Sequence, residues 1–213
     1  MNVDKIPSFD NDAFMAELEK GVRTLSRRDP VIRALAKENG PPVFRPHGDY
    51  FDTLVEAIIS QQISSAAAAS ILRKLKDVLG GFFEPGIMLA APEEQIRGAG
   101  ISPQKLGYLR SLAEHAQDGR LEIGRFNELS DDEIIRELTD IKGIGVWTAH
   151  MFLIFSLGRL DVLPVGDFGV KRGIQVAYGL DEPPKPREIA ALAEARKWAP
   201  YRSIASWYMW RVP

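Results

Sequence analysis

The chain has 213 residues, of which 45% are hydrophobic and 26% are charged, and its formal net charge at pH 7 is −2. This balance is typical of a globular protein of one domain or two small ones, and it does not fit a disordered or fibrous chain. The absence of cysteine excludes disulfides, a thiol nucleophile and an iron–sulfur cluster held by cysteines.

Charge is distributed unevenly along the chain. Residues 141–213 carry ten Lys or Arg against six Asp or Glu, a net charge of +4, whereas residues 1–140 have a net charge of −6. A protein that binds nucleic acid normally presents a basic face to the phosphates. The C-terminal third is therefore the part of the chain whose charge is compatible with such a face.

Neither a targeting signal nor a membrane span is indicated. Residues 1–12 lack the basic-then-apolar pattern of a secretory signal, so we expect a cytoplasmic protein. The longest apolar stretch, residues 146–157, is too short to cross a bilayer. The three histidines do not have the i, i+4 spacing of a zinc-binding helix, and we predict no metal site that uses side chains.

Helical spacing of apolar residues dominates the first 80 residues. It runs from residue 11 to about residue 25 and from 30 to 38, where Gly40-Pro41-Pro42 interrupts it. Residues 51–60 and 63–79 predict two further helices, the second of them rich in alanine, which favours helix.

Two more helices are marked by their first residues. Ser102 followed by Pro103 is a typical helix start, and the pattern continues to about residue 117. Ser130 and Glu133 have the spacing of a capping box. Because no segment alternates polar and apolar residues over several positions, the sequence predicts an all-α fold.

A glycine-containing link joins two helical patterns near residue 140. It reads Ile141-Lys142-Gly143-Ile144-Gly145 and is followed by an apolar helix that starts at Val146. Glycine tolerates positive φ and leaves backbone N–H groups accessible where a helix begins, which suits a phosphate. Ile141 and Ile144 would pack beneath this hairpin. An ordinary glycine-capped turn between helices is the simpler alternative.

The residues that follow the hairpin make the pattern more specific. They contain Trp147-Thr148-Ala149, Leu157-Gly158-Arg159, Asp161-Val162-Leu163-Pro164 and Gly166-Asp167-Phe168-Gly169. With these motifs the chain resembles the helix-hairpin-helix DNA glycosylases that carry a Gly/Pro-rich loop and an aspartate, and among them the 3-methyladenine-DNA glycosylase II family. Fainter similarity covers residues 51–67, 100–113 and 198–211, in the order of the family.

The resemblance implies a fold of two helical lobes. One lobe would combine residues 1–49 with 161–213, and the other, residues 50–160, would carry the helix-hairpin-helix motif at residues 131–157. The active-site cleft would lie between the lobes. The implied activity is that of a monofunctional glycosylase in base excision repair, which flips alkylated, cationic N-methylated bases out of duplex DNA and hydrolyses the N-glycosidic bond.

The resemblance also implies partners and cofactors. The partner is duplex DNA that contains damaged bases, and we expect a monomer that does not bind membranes and, in a bacterium, associates with the nucleoid. No organic cofactor is expected. A monovalent cation bound by backbone carbonyls of the hairpin is expected from the family.

Asp167 is the predicted catalytic residue. An aspartate directly before a helix often caps it, so the alternative interpretation of Asp167 is capping alone. In the family the matching carboxylate serves cleavage at C1′, where a fixed anion stabilises the oxocarbenium character of the sugar. Pro164 and Gly166 would shape the turn that aims Asp167, and Asp161 is expected to have a structural role at the loop entrance.

Trp147 distinguishes two types of glycosylase. Bifunctional members of the superfamily carry a lysine at this position, whose amine forms a Schiff base, and tryptophan cannot do so. By resemblance, Trp147, Met151 and Trp210 line the base pocket. The alternative for each tryptophan is a place in the core. Lys142, the nearest lysine in the sequence, is expected to meet phosphate or solvent.

The predicted DNA contacts come from the hairpin and from one glutamine. By resemblance they involve Gln62, Ile141, Lys142, Gly143, Ile144, Gly145 and Thr148. Gln62 would be the side chain that wedges into the base stack where a nucleotide is extruded. The alternative for Gln62 is a solvent-facing side chain. Lys105, near the start of the helix that follows Ser102, is expected either to contact a phosphate or to be exposed.

The sequence is also compatible with two other functions. A non-catalytic helix-hairpin-helix module would need the hairpin but not Asp167. A glycosylase for oxidised or deaminated bases would keep Asp167 and differ in its pocket.

Overall fold

The computed structural model describes residues 10–213, and its regular secondary structure is helical. Residues 1–9, which carry most of the segment on which the expectation about a secretory signal depends, lie outside the described residues. The helices are α1 Asn11–Arg28, α2 Pro30–Asn39, α3 Tyr50–Ser60, α4 Ser65–Val78, α5 Pro85–Ala90, α6 Glu93–Gly98, α7 Pro103–Gln117, α8 Asp131–Asp140, α9 Val146–Phe155, α10 Phe168–Ala177, α11 Pro186–Ala195 and α12 Arg202–Met209, with a 3-10 turn at Ile123–Arg125. Since residues 10–213 contain no strand, the predicted all-α class is confirmed.

The described chain divides into two compact units. The first unit comprises residues 47–152, and the second unit comprises residues 10–46 together with residues 153–213. The second lobe boundary differs more than the first: the divisions fall before residues 47 and 153, whereas the expected ones fall before residues 50 and 161. Helix α9 begins in the first unit, and its last three residues belong to the second.

The first unit is built around α3 and α7. On α3, Leu54, Val55, Ile58 and Ile59 recur at helical spacing and are fully buried, and α3 packs against α4 and α7. Each such buried aliphatic side chain contributes about 1.5–3 kcal/mol relative to exposure. An aromatic cluster of Tyr50, Phe126 and Phe152 completes this core, with ring centroids 5.5–5.9 Å apart.

The second unit is organised by α12, which packs against α1, α2 and α10. The fully buried carboxylate of Asp29 links several elements of this unit by hydrogen bonds. Asp29 caps α2 by accepting from the Val31 amide at 2.9 Å, and it also accepts from the Tyr178 hydroxyl at 2.6 Å and from the Trp198 indole at 3.0 Å. Three donors compensate the desolvation of this acid.

The helix starts follow local capping chemistry. The Ser102 hydroxyl accepts from the Lys105 amide at 3.2 Å, and Ser130 and Glu133 form the reciprocal capping box. The predicted start of α4 at residue 63 is wrong, because Ser64 is the N-cap and the helix begins at Ser65. Gln62 has a φ of 58°, which places it outside any helix.

The sequence predicts no membrane span. In residues 10–213, no helix has both the length and the apolar character that a membrane span needs.

Candidate active site

Asp167 lies at the start of α10 and is buried, with 8% of its surface exposed. Its backbone is extended, with φ −71° and ψ 130°, and its Oδ1 accepts a hydrogen bond from the Val170 amide at 2.7 Å. The residue is therefore the N-cap of α10, as its sequence context indicated. The N-terminal end of a helix also stabilises a negative charge at this place.

Trp210 shares that carboxylate oxygen. Its indole nitrogen donates to Asp167 Oδ1 at 2.7 Å, and its ring stacks on Phe155 with centroids 5.6 Å apart and an interplanar angle of 29°. Two donors on one oxygen fix the rotation of the carboxylate. The second unit thus brings together Asp167 and Trp210, two of the residues singled out in the sequence.

Two glycines on α10 permit this approach. A Cβ added to Gly169 would lie 2.7 Å from Trp210 Cδ1, closer than real side chains pack. One turn later, a Cβ on Gly173 would overlap the main chain of Met209 in α12. The spacing of four residues puts both glycines on one face of α10, where they let α12 and the Trp210 ring come close. The sequence contains Gly169 in the motif around Asp167, but nothing in it indicates that Gly169 and Gly173 act as a pair.

The loop before Asp167 is held by side chains of the second unit. Both carboxylate oxygens of Asp161 pair with the Arg202 guanidinium, at 2.8 and 2.9 Å. The Asp167 amide donates to the Pro164 carbonyl at 2.9 Å, which closes the turn that precedes α10. Asp161 therefore has contacts of a structural kind.

The hairpin belongs to the first unit, and its two isoleucines are buried, Ile141 with 1% and Ile144 with 4% of their surface exposed. Gly143 has a φ of 86°, and a Cβ at this position would overlap the Tyr108 ring. Gly145 does not have a positive φ, and apart from its chain neighbours no atom of residues 10–213 lies within 4 Å of the place its Cβ would take. Only one of the two glycines is required by the conformation of the hairpin.

Several polar groups of the hairpin are bonded within the fold. The Lys142 amide donates to Ser111 Oγ at 3.2 Å, and the Gly143 carbonyl accepts from the Gln61 side-chain amide at 2.8 Å. The Ile141 carbonyl accepts from the Ile144 amide at 3.1 Å. The monovalent cation expected at backbone carbonyls of the hairpin stays a prediction.

The remaining predicted site residues of the first unit differ in exposure. Trp147 stands in the first turn of α9 with 52% of its surface exposed, whereas Thr148 and Met151 are half-buried and Lys142 is exposed. The exposure of Trp147 argues against the alternative of a core tryptophan. The roles of Trp147 and Met151 in binding a base stay predictions.

Gln62 is exposed and adopts the left-handed backbone conformation that non-glycine residues rarely take. It lines a cleft of the first unit of about 310 Å³. Residues of α3, α4, α7 and the loops before α4 and α7 form this cleft: Ile59, Gln61, Gln62, Ile63, Ile71, Gly100, Ile101, Ser102, Gln104, Lys105 and Tyr108. Lys105 is half-buried rather than simply exposed, and its ammonium group bonds to the main chain at the end of α3.

Phe168 is a further residue of the site that the sequence analysis left without a role. It follows Asp167 directly and has 81% of its surface exposed, the largest exposed fraction among the large hydrophobic residues at the surface of the described chain. Its only sequence signal is its place next to Asp167. In residues 10–213, no group of three or more His, Cys, Asp or Glu is placed to hold a metal ion.

Comparison with known proteins places these residues in a family. Residues 55–200 match the HhH-GPD superfamily of base excision DNA repair proteins. DNA-3-methyladenine glycosylase 1 of Schizosaccharomyces pombe is 37% identical over 211 residues, which cover 95% of this chain and 91% of that protein.

Solved structures give the same result. The crystal structure of a DNA-3-methyladenine glycosidase from Bacillus halodurans has a TM-score of 0.83 and 36% identity, covering 90% of this chain and 88% of that chain. The structure of the 3-methyladenine DNA glycosylase Mag1 of Schizosaccharomyces pombe in complex with abasic DNA has a TM-score of 0.75 and 34% identity, covering 90% and 95%. The chain belongs to the HhH-GPD superfamily of base excision DNA repair proteins.

Proposed function

We propose that this protein is a monofunctional DNA glycosylase that removes alkylated bases from duplex DNA by hydrolysing the N-glycosidic bond. The observation that carries the proposal is the buried carboxylate of Asp167, fixed at the start of α10 by the Val170 amide and the Trp210 indole. The relatives named DNA-3-methyladenine glycosylase, which align along most of this chain, support the same activity and its place in base excision repair.

Asp167 stabilises charge that develops during the reaction. As the C1′–N bond breaks, its electron pair leaves with the base and the sugar acquires oxocarbenium character. A fixed anion near C1′ lowers the energy of this transition state, and it orients the water whose oxygen bonds to C1′ and whose proton is released. Since the carboxylate is oriented before substrate binds, little reorganisation is needed at the moment of reaction.

The reaction stops at the abasic site. An accompanying strand cleavage would need an amine to attack C1′ and form a Schiff base. Trp147 occupies the position of the catalytic lysine in bifunctional members of the superfamily, and an indole cannot act in this way. Lys142 is exposed on the hairpin, where a phosphate is its natural partner.

The preferred substrates are bases methylated at a ring nitrogen. These bases are cationic in DNA, so they depart without a general acid. The proposed pocket residues Trp147, Met151 and Trp210 offer aromatic and apolar surface, and a tryptophan face attracts a cation by about 0.5–2 kcal/mol. The exposed ring of Phe168, next to Asp167, is a further aromatic surface for such a base.

DNA is bound through the hairpin and through Gln62, as predicted from the family. The left-handed conformation of Gln62 supports this role, because strained backbone at an exposed position is commonly associated with function. A monovalent cation on backbone carbonyls of the hairpin would add positive charge near a bound phosphate. The monomeric state and the cytoplasmic, nucleoid-associated location stay predictions.

The proposal is tested with purified protein and duplex DNA treated with a methylating agent. After the DNA has been precipitated, chromatography of the supernatant should detect free 3-methyladenine or 7-methylguanine. A protein that binds the duplex and releases no base would instead be the non-catalytic helix-hairpin-helix module considered above.

A further inference from the structure

The side chain of Lys105 donates hydrogen bonds to the main chain of the first unit. Its ammonium nitrogen lies 2.5 Å from the Ile59 carbonyl oxygen and 2.8 Å from the Gln61 carbonyl oxygen. Both carbonyls stand at the C-terminal end of α3, where the last carbonyl groups of a helix have no partner within the helix. A positive charge is favourable there because the dipole of the helix is negative at its C-terminus.

The environment of Lys105 separates it from an ordinary surface lysine. The residue is half-buried, and desolvation lowers the pKa of its ammonium group. An ammonium group has three N–H donors, and two of them point at carbonyl oxygens. A phosphate bound here would have to compete with both carbonyls.

The turn that Lys105 holds is the one that carries Gln62. Gln61 is the C-cap of α3, Gln62 follows with a φ of 58°, and Ser64 caps α4. A non-glycine residue in this conformation costs about 1–2 kcal/mol, so it persists only where its surroundings fix it. The Gln61 main chain is fixed by Lys105, and the Gln61 side chain by the Gly143 carbonyl of the hairpin.

We propose that Lys105 is a positioning residue that acts on DNA through Gln62, by holding the turn at Gln61 and Gln62 in its strained conformation, and that it makes no phosphate contact. The proposal rests on the proposed function, in which duplex DNA with an extruded nucleotide is the ligand of the first unit. Gln61 is the second anchor of the same turn. Without either anchor, Gln62 would relax and fill the space in the base stack less well.

Salt dependence separates a positioning role from a phosphate contact. Each lysine that neutralises a phosphate of duplex DNA contributes about −0.9 to the slope of log K against log salt concentration. Lys105→Met should weaken binding of a duplex with an abasic-site analogue and leave this slope unchanged. Lys142→Met should make the slope shallower by about 0.9 if the hairpin lysine contacts a phosphate. Lys37→Met, an exposed lysine of α2 in the second unit, is the matched control.

A double-mutant cycle tests whether Lys105 acts through Gln62. The readout is the fluorescence of 2-aminopurine placed beside the abasic-site analogue, which reports disruption of the stack and requires no excision. Lys105→Met should reduce the affinity for this duplex about tenfold in the wild-type background and less than about twofold in the Gln62→Ala background, because residues that act as one unit are not additive. Lys105→Arg, whose guanidinium can still donate to both carbonyls, should recover most of the loss.

Both experiments have outcomes that overturn the proposal. It fails if Lys105→Met makes the salt slope shallower by about 0.9, or if the loss is equal in the wild-type and Gln62→Ala backgrounds. Should Lys105→Met not fold, as judged by thermal melting, the cycle is run with Gln61→Ala, for which the same non-additive pattern is expected. If the wild-type protein releases no base, the proposed function fails, whereas these binding measurements still decide the role of Lys105.

Discussion

The indole nitrogen of Trp210 and the amide of Val170 donate to one and the same oxygen of Asp167, each at 2.7 Å. Capping of α10 and orientation of the carboxylate are therefore performed by a single atom. For this reason the structural and the catalytic interpretations of Asp167 do not compete. The carboxylate is placed by its role as a helix cap and oriented by Trp210.

Trp210→Phe should slow excision while leaving the protein folded. Phenylalanine keeps a ring that can stack on Phe155 but has no donor for Asp167. A hydrogen bond to a charged group contributes about 1.5–3 kcal/mol, and if that energy orients the carboxylate in the transition state, its loss lowers the single-turnover rate about tenfold or more. Rate measurement on a methylated duplex, with thermal melting alongside, checks this expectation.

A second variant disturbs the hydrogen bond between Trp210 and Asp167 by displacing the Trp210 ring. Gly169→Ala would push the Trp210 ring away from Asp167, since the added Cβ would lie 2.7 Å from Trp210 Cδ1. Gly107→Ala is the control, because in the described part of the chain no atom outside its chain neighbours and the adjacent backbone of α7 lies within 4 Å of the added Cβ. Wild-type rates for both Trp210→Phe and Gly169→Ala would show that the hydrogen bond has no part in catalysis.

The two hairpin glycines should respond differently to substitution. Gly143→Ala forces a side chain into a φ of 86° and against the Tyr108 ring, and the backbone conformation alone costs about 1–2 kcal/mol. It should lower the melting temperature. Gly145→Val should melt like the wild type but bind all DNA sequences more weakly, because a side chain then stands where the backbone meets phosphate.

Melting curves and binding isotherms on unrelated duplexes decide this prediction. If Gly145→Val folds and binds DNA with unchanged affinity, the hairpin does not form part of the DNA interface.

How much the sequence could reveal depended on the range of the interaction. The starts of α7 and α8 were predictable, because Ser102, Ser130 and Glu133 bond to groups three residues away. The bond between Trp210 and Asp167 joins residues 43 positions apart, and no periodicity in the chain encodes it. The family resemblance pointed to both residues but not to the contact.

The first unit gives the same lesson. Gln62 is a non-glycine residue in a left-handed conformation. Nothing in the residue type predicts this conformation. The cause is a pair of tertiary contacts, from Lys105 to the Gln61 carbonyl and from the Gln61 side chain to Gly143. In the sequence, Lys105 looked like any lysine near a helix start.

Product DNA should stay intact until it is treated with alkali or heat. The reason is that, by the family resemblance, Trp147 takes the position of the lysine that forms the Schiff base in bifunctional enzymes. Denaturing electrophoresis before and after alkali checks strand integrity. Borohydride should trap no covalent complex, and an enzyme–DNA adduct would implicate another amine, with Lys142 the first to test.

Cationic lesions should be excised faster than neutral ones. A tryptophan face stabilises a cationic base by about 0.5–2 kcal/mol, and 1.4 kcal/mol corresponds to about tenfold in rate. Trp147→Ala and Trp210→Ala should each reduce the excision of 7-methylguanine. Competition between defined duplexes that contain 7-methylguanine, uracil or hypoxanthine measures the preference, and equal or faster removal of uracil would refute this account of the pocket.

The most direct test of the catalytic assignment compares wild-type protein with Asp167→Asn. Asparagine is as good a helix cap as aspartate, and its carbonyl oxygen can still accept from Val170 and Trp210, so the variant should fold and bind duplex DNA within a few-fold of wild type. Its charge is gone, and with it the stabilisation that exists only in the transition state.

The measurement is the release of free N-methylated base from methylated duplex DNA under single-turnover conditions. The wild type should release readily detected amounts of base, and Asp167→Asn essentially none. If the variant keeps more than about a tenth of the wild-type rate, it loses under about 1.4 kcal/mol in transition-state stabilisation. Asp167 would then be a helix cap and not the catalytic residue.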